Sequence, residues 1–132
     1  MLSWFRRGSV RPKRSERKAV TEELALWASL RRGVEIYVEP KTAVTETSVV
    51  LVAHDGEFTR RRIASPKAAR EFAHDNSLPI YDATVVGYPQ RMRDYSRRQT
   101  ILRERAERDA LGDSTDRRAT DRRASDRRAT DR

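Results

Sequence analysis

Five consecutive apolar residues, Val49-Val50-Leu51-Val52-Ala53, constrain this chain more than any other stretch. The run is too short for a free-standing buried helix and has the length and β-branched content of a central strand. His54-Asp55-Gly56-Glu57 interrupts it, and Asp-Gly is a strong hairpin signal because a type I′ turn needs positive φ at both central residues. Phe58 to Ala64 then returns as a second strand. A two-residue loop at Asp55-Gly56 sets Leu51 opposite Arg60 and Val49 opposite Arg62, with Val52-Thr59, Val50-Arg61 and Ser48-Ile63 on the other face. In that register neither face is purely apolar. Arg60 and Arg62 share one face and Arg61 takes the other, so at least one arginine snorkels or pairs near the core.

Around this hairpin the sequence predicts one α+β domain over residues 19–112, a mainly antiparallel sheet of about four strands with helices packed on it. Val20, Leu24, Trp27 and Leu30 recur at helical spacing, which places a helix over 19–32 with Gly33 as its C-terminal cap. Val34, Ile36 and Val38 alternate with Glu35, Tyr37 and Glu39, giving a half-buried strand over 34–39 that Pro40 ends. The hairpin strands cover 45–53 and 58–64. Ser65-Pro66 is a helix start, Ser as cap and Pro pre-shaped for the first position, and opens a helix over 66–76 that Asn76 closes. Ile80 to Val86 reads as a further strand. A last helix over 89–111 carries Met92, Tyr95, Gln99, Leu102 and Ala106 as a narrow apolar seam and ends at Gly112.

Two charged segments flank the domain. Residues 1–18 hold seven Lys/Arg and one acid, a flexible basic arm with Leu2, Trp4 and Phe5 at its front. Residues 113–132 repeat Asp-Arg-Arg-Ala-Ser/Thr, seven arginines against five aspartates. A five-residue period advances about 500° around a helix and keeps no face. Alanine alone cannot bury enough surface to offset chain entropy, so disorder with at most fluctuating helix is expected there. Each unit spells Arg-Arg-Ala-Thr or Arg-Arg-Ala-Ser, which resembles the sites preferred by basophilic kinases and makes Thr120, Ser125 and Thr130 candidate phosphoacceptors.

The formal net charge of +9 on 132 residues makes anionic partners the default expectation. With no cysteine there are no disulfides, thiolate zinc sites or thiol nucleophiles, as suits a reducing compartment. No apolar run approaches the roughly 18 residues that span a bilayer, and the start lacks a secretory apolar core, so a cytoplasmic protein is expected. No nucleophile elbow, phosphate-binding glycine loop or metal-ligand spacing is present. His54-Asp55 reads as turn polarity and His74-Asp75 as a helix end. Tyr81, Asp82, Tyr88 and Tyr95 are the remaining candidates for lining a pocket. No catalytic, metal or cofactor residue is assigned.

Helix, three strands and helix over residues 19–77 resemble the double-stranded-RNA-binding domain in order. In that family a lysine-rich helix start after the third strand meets phosphates; here TRRRIASPKAAREFAH stands in that place, with Lys67 for the paired lysines and no Gly-Pro-His loop between Pro40 and Thr45. The stretch from Val38 to Gln99 is also similar to a group of small actinobacterial proteins, some labelled oxidoreductase. Charge and resemblance together point to a non-enzymatic, nucleic-acid-associated protein that binds phosphate backbones largely independent of sequence, RNA slightly favoured. The expected contacts are Arg6, Arg7, Arg11, Lys13 and Arg14 in the arm and Arg60, Arg62, Lys67 and Arg70 on the body. The alternatives are a protein-interaction module using Met92, Tyr95 and Leu102, a membrane-surface protein using Leu2, Trp4 and Phe5, and a small enzyme of the oxidoreductase-labelled kind.

Overall fold

A computed structural model describes residues 13–129. The elements run α1 (Arg14–Ser29), β1 (Glu35–Glu39), β2 (Ser48–Val52), β3 (Phe58–Arg62), α2 (Pro66–Asp75), β4 (Ile80–Asp82), α3 (Ala83–Val86) and α4 (Gln90–Ala129). The class is α+β, as the sequence predicts. The chain divides into two compact units, Met1–Arg93 and Asp94–Arg132. That boundary falls inside the helix expected to close a single domain.

The first unit is built on a four-stranded sheet in the order β3-β2-β1-β4. β1 and β3 are antiparallel to β2, while β4 joins β1 in parallel. Alternation decides what each face carries. Ile36 and Val38 of β1 and Val49 and Leu51 of β2 point to one face and are buried with Leu24 of α1 and Ala69, Phe72 and Ala73 of α2. Both helices therefore cover that face, which settles a side that the sequence pattern leaves open. The opposite face takes Tyr37, Val50 and Val52, with Phe58, Ala83, Tyr88 and Met92 packed against them.

The hairpin register differs from the sequence expectation by one residue. Val52 stands opposite Phe58, Val50 opposite Arg60 and Val49 opposite Arg61. Ala53 N–H donates to the Glu57 carbonyl at 2.7 Å, which leaves a three-residue loop, His54-Asp55-Gly56. Only Gly56 in that loop takes positive φ, +92°, so the two-positive-φ turn does not form. Asp55 instead uses its carboxylate to accept the Glu57 N–H at 3.0 Å. The shift keeps Arg60 and Arg62 on one face, now that of Tyr37. It turns Arg61 to the helix side, where its guanidinium lies 3.5 Å from the Glu23 carboxylate of α1.

The hairpin strands are shorter than expected, Ser48–Val52 and Phe58–Arg62, and four other boundaries change the reading. α1 starts five residues earlier than expected, because the Glu16 carboxylate accepts the Lys13 N–H at 3.1 Å and holds the first turn. It also ends earlier, at Ser29, so Gly33 is not its cap. Gly33 lies ahead of β1 at φ +60°, where a Cβ would sit 3.0 Å from His54 Cβ. The expected strand over 80–86 stops at Asp82. The Asp82 carboxylate accepts from Thr84 N–H at 2.8 Å and Thr84 hydroxyl at 2.6 Å, and this cap turns the β-branched Thr84-Val85-Val86 into one helical turn.

The fourth change is in the second unit, where helix continues through Gly112 and the repeat to Ala129. Gly112 is not in the left-handed region that would end the helix, and an interior glycine costs only about 1 kcal/mol against alanine. Asp113 pairs with Arg117 at 3.0 Å one turn on. The Thr115, Thr120 and Ser125 hydroxyls donate back to carbonyls three or four residues earlier. These short polar side chains, whose usual effect is to compete with helix, are satisfied within it. Every described side chain from Arg97 to Arg127 is exposed.

Candidate functional site

The face of the sheet away from α1 and α2 holds a polar network that begins with the alternation of β1. Glu35, Tyr37 and Glu39 are two residues apart on a central strand and so project from the same face. Tyr37 hydroxyl donates to Glu35 Oε2 at 2.5 Å. The Arg91 guanidinium lies 3.0 Å from the same carboxylate and donates through Nε to the Ala53 carbonyl at 3.0 Å. Glu39 is the second node. It accepts from Arg60 Nε at 2.9 Å, from Ser48 Oγ at 3.1 Å and from the Tyr88 hydroxyl. The Tyr37 ring is flanked by Tyr81 and Tyr88, with centroids at 5.5 and 6.0 Å.

These contacts set the titration of the group. Burial pushes the Tyr37 hydroxyl up, and its bond to the Glu35 carboxylate adds to this, taking it to about 12. Tyr88 is pushed up in the same way, by burial and by Glu39. Burial works to raise Glu35 and Glu39, but the hydrogen bonds and cations around them outweigh it, and both lie below the ordinary carboxylate value. At neutral pH the tyrosines are therefore locked protonated and the glutamates ionised. Such a network holds a fixed charge pattern and offers neither a general base nor a general acid near neutrality. Of the pocket candidates, Tyr81 and Tyr88 belong to this face and Asp82 caps α3. Tyr95 lies in the second unit, where it is half-buried, and the Arg98 guanidinium stands 5.9 Å from its ring centroid.

The basic residues expected to meet phosphates are separated by this architecture. Arg6, Arg7 and Arg11 lie outside the described residues, as do Leu2, Trp4 and Phe5. Lys13 caps α1 and Arg14 opens it, so part of the expected arm is helical. Arg60 is committed to Glu39, with NH2 at 2.8 Å and just over half of its side chain exposed. Arg62 stands on the same face, exposed and without a hydrogen bond or ion pair among the described residues. Lys67 and Arg70 sit on exposed positions of α2, which packs on the other face. Lys67 makes a loose 3.9 Å pair with Glu71, worth a few tenths of a kcal/mol, and Arg70 has no acidic partner among the described residues.

Three of them lie close together along the chain. Only three residues separate Arg62 at the end of β3 from Pro66 at the start of α2, with Lys67 in the first turn of that helix and Arg70 one turn on, although Arg62 faces the Tyr37 side of the sheet and α2 packs on the other. Ser65 Oγ accepts the Ala68 N–H at 3.1 Å and Pro66 has no N–H, which leaves the Lys67 N–H without a partner among the described residues at the positive end of the helix. The depression between α1 and α2, about 340 Å³, has the opposite character. Glu22, Glu71 and Asp75 line it with Thr21, Ala25 and Ala68, so an anion is not favoured there.

No protein-family model, curated protein or solved structure matches this chain. Among the described residues no group of three His, Cys, Asp or Glu side chains could hold a metal ion, and no helix is long and apolar enough to cross a membrane.

Proposed function

We propose that this is a small, non-enzymatic, nucleic-acid-associated protein that binds phosphate backbones largely independent of sequence, with structured RNA slightly ahead of DNA. The observation that carries this reading is the β3–α2 corner, where Arg62 and Arg70 have no acidic partner among the described residues. Lys67 in the first turn of α2 is paired only loosely, and its amide has no partner among the described residues at a helix N-terminus. The order α1-β1-β2-β3-α2, with both helices on one sheet face, supports it through the resemblance to the double-stranded-RNA-binding domain. Lys13 and Arg14 at the start of α1 are further expected contacts in this reading, as are Arg6, Arg7 and Arg11, which lie outside the described residues. Arg60 is a secondary contact in this reading, because a phosphate would have to compete with Glu39 for it.

Binding of a fluorescent RNA duplex to the full chain, followed by anisotropy at 100 mM salt, tests this. Replacing Arg62, Lys67 and Arg70 by glutamine should weaken binding at least tenfold. Arg32→Gln, exposed beside the His54-Asp55-Gly56 turn at the opposite end of the sheet, should change it little. Equal affinity for the triple variant and the parent would remove the body from the interface. A second reading, a protein-interaction module, is favoured by the exposure of Leu102, at 55%, with Ile101 and Leu111 also exposed on the same helix. Concentration-dependent self-association, abolished by Leu102→Asp, would identify it.

A further inference from the structure

The repeat that ends the chain carries more than charge. Arg-Arg-x-Ser/Thr occurs five times in the sequence, at Ser9, Thr100, Thr120, Ser125 and Thr130. Three of these lie five residues apart in identical surroundings: two arginines and an alanine before the hydroxyl, an aspartate after it. We infer that Thr120, Ser125 and Thr130 form a multisite phosphoacceptor segment for a serine/threonine kinase that reads arginines two and three residues before the acceptor.

Access and charge support the assignment. Thr120 and Ser125 are exposed. Their hydroxyls are tied only to helix carbonyls, Thr120 to Arg117 at 2.8 Å and Ser125 to Arg122 at 2.8 Å. Opening one turn of this stretch, whose described side chains from Arg97 to Arg127 are all exposed, forfeits no buried apolar surface, so the segment can extend into a kinase cleft at little cost. In the transfer, the hydroxyl oxygen bonds to the γ-phosphorus of a nucleoside triphosphate. The bond to the β-phosphate oxygen breaks, the nucleoside diphosphate leaves, and the hydroxyl proton passes to a base of the kinase.

The product has a defined electrostatic consequence. Residues 113–132 carry seven arginines and five aspartates, +2. Three phosphates at roughly −1.5 to −2 each would take the segment to about −2.5 to −4. Within the helix, a phosphate on Thr120 lies between Arg117 and Arg123, three residues to either side and on the same face, where charge-assisted bonds form. Phosphorylation should therefore reverse the sign of the segment while leaving residues 113–129 helical. This inference stands apart from the nucleic-acid reading, because neither the sites nor the charge reversal needs a polyanion.

The test uses the full chain, an extract of its source cells, magnesium and labelled ATP. Label should enter the chain, intact mass should show up to three phosphates, and fragmentation should place them on Thr120, Ser125 and Thr130. The variant Thr120→Ala/Ser125→Ala/Thr130→Ala should lose the label while its far-ultraviolet circular dichroism stays that of the parent. Lys in place of Arg117 and Arg122 should slow labelling of Thr120 and Ser125. No label, equal label in the triple variant, or phosphate confined to Ser9 or Thr100 would overturn the assignment.

Discussion

Replacing Glu39 by alanine removes the acceptor on which three hydrogen bonds, from three residues, converge. Two of the donors, Ser48 Oγ and the Tyr88 hydroxyl, belong to buried or half-buried residues. Each bond to a charged acceptor is worth about 1.5–3 kcal/mol when its donor is left buried. The third partner, Arg60, is more than half exposed and recovers water, so its salt bridge adds no more than about 1 kcal/mol. The sum, discounted because the three share one acceptor, is about 3 kcal/mol. For a unit of this size that corresponds to a fall in Tm of roughly 12–24 °C. The Glu39 carboxyl lies below its ordinary value of 4.5, so its contribution is present above that pH and is lost as the pH falls through the folded value. Urea unfolding of parent and variant should therefore differ by about 3 kcal/mol at pH 7 and converge as the pH falls below the ordinary carboxylate range. A difference under about 0.5 kcal/mol at pH 7, or one unchanged by acid, would show that the network does not hold the sheet face together.

Tyr37 gives the opposite pH limb. Its hydroxyl is raised from 10.0 to about 12, so its contribution, on the order of 2–3 kcal/mol, is complete below pH 10 and lost as the pH rises to 12. Tyr37→Phe should flatten that alkaline loss, measured by urea melts across the range. Gly33→Ala combines a positive φ of 60° with a 3.0 Å approach to His54 Cβ and should cost about 1–3 kcal/mol, read from the denaturation midpoint. Leu102→Asp, at a position 55% exposed, should leave the thermal melt of the isolated chain within about 0.5 kcal/mol.

Much of the first unit is legible in sequence because local and tertiary signals agree there. Ser65-Pro66 starts α2 where capping chemistry puts it, Asn76 closes it, and the β1 alternation gives both faces of the central strand. The misreadings arise where a single side chain overrides a local preference. Asp82 captures Thr84 and converts a β-branched stretch into a helical turn. Asp55 captures the Glu57 amide and shifts the hairpin by one residue. Glu16 extends α1 into the expected arm. At Gly112, the absence of a left-handed φ lets helix run on past its expected end, into a repeat for which disorder with at most fluctuating helix is expected. The polar network was within reach of the sequence. Glu35, Tyr37 and Glu39, two apart on a strand, signal a central strand with one polar face, and only their partners Arg91, Tyr88 and Arg60 depend on the fold. The candidate phosphate residues follow the same division. The composition points to Arg62, Lys67 and Arg70, but it does not reveal that Arg60 beside them is already held by Glu39.

The salt dependence of RNA binding is the most direct test of the proposed function. Binding of the full chain to an RNA duplex and to a DNA duplex should be measured between 50 and 200 mM salt. With roughly four to six phosphates neutralised, log K should fall linearly with log salt, at a slope of about −3.5 to −5.5 on DNA. Glutamine at Arg62, Lys67 and Arg70 should make that slope shallower by two to three, and affinity should vary little with sequence. A slope near zero, or no binding to either duplex at 100 mM salt, would contradict the proposal and leave the basic charge as solvated surface.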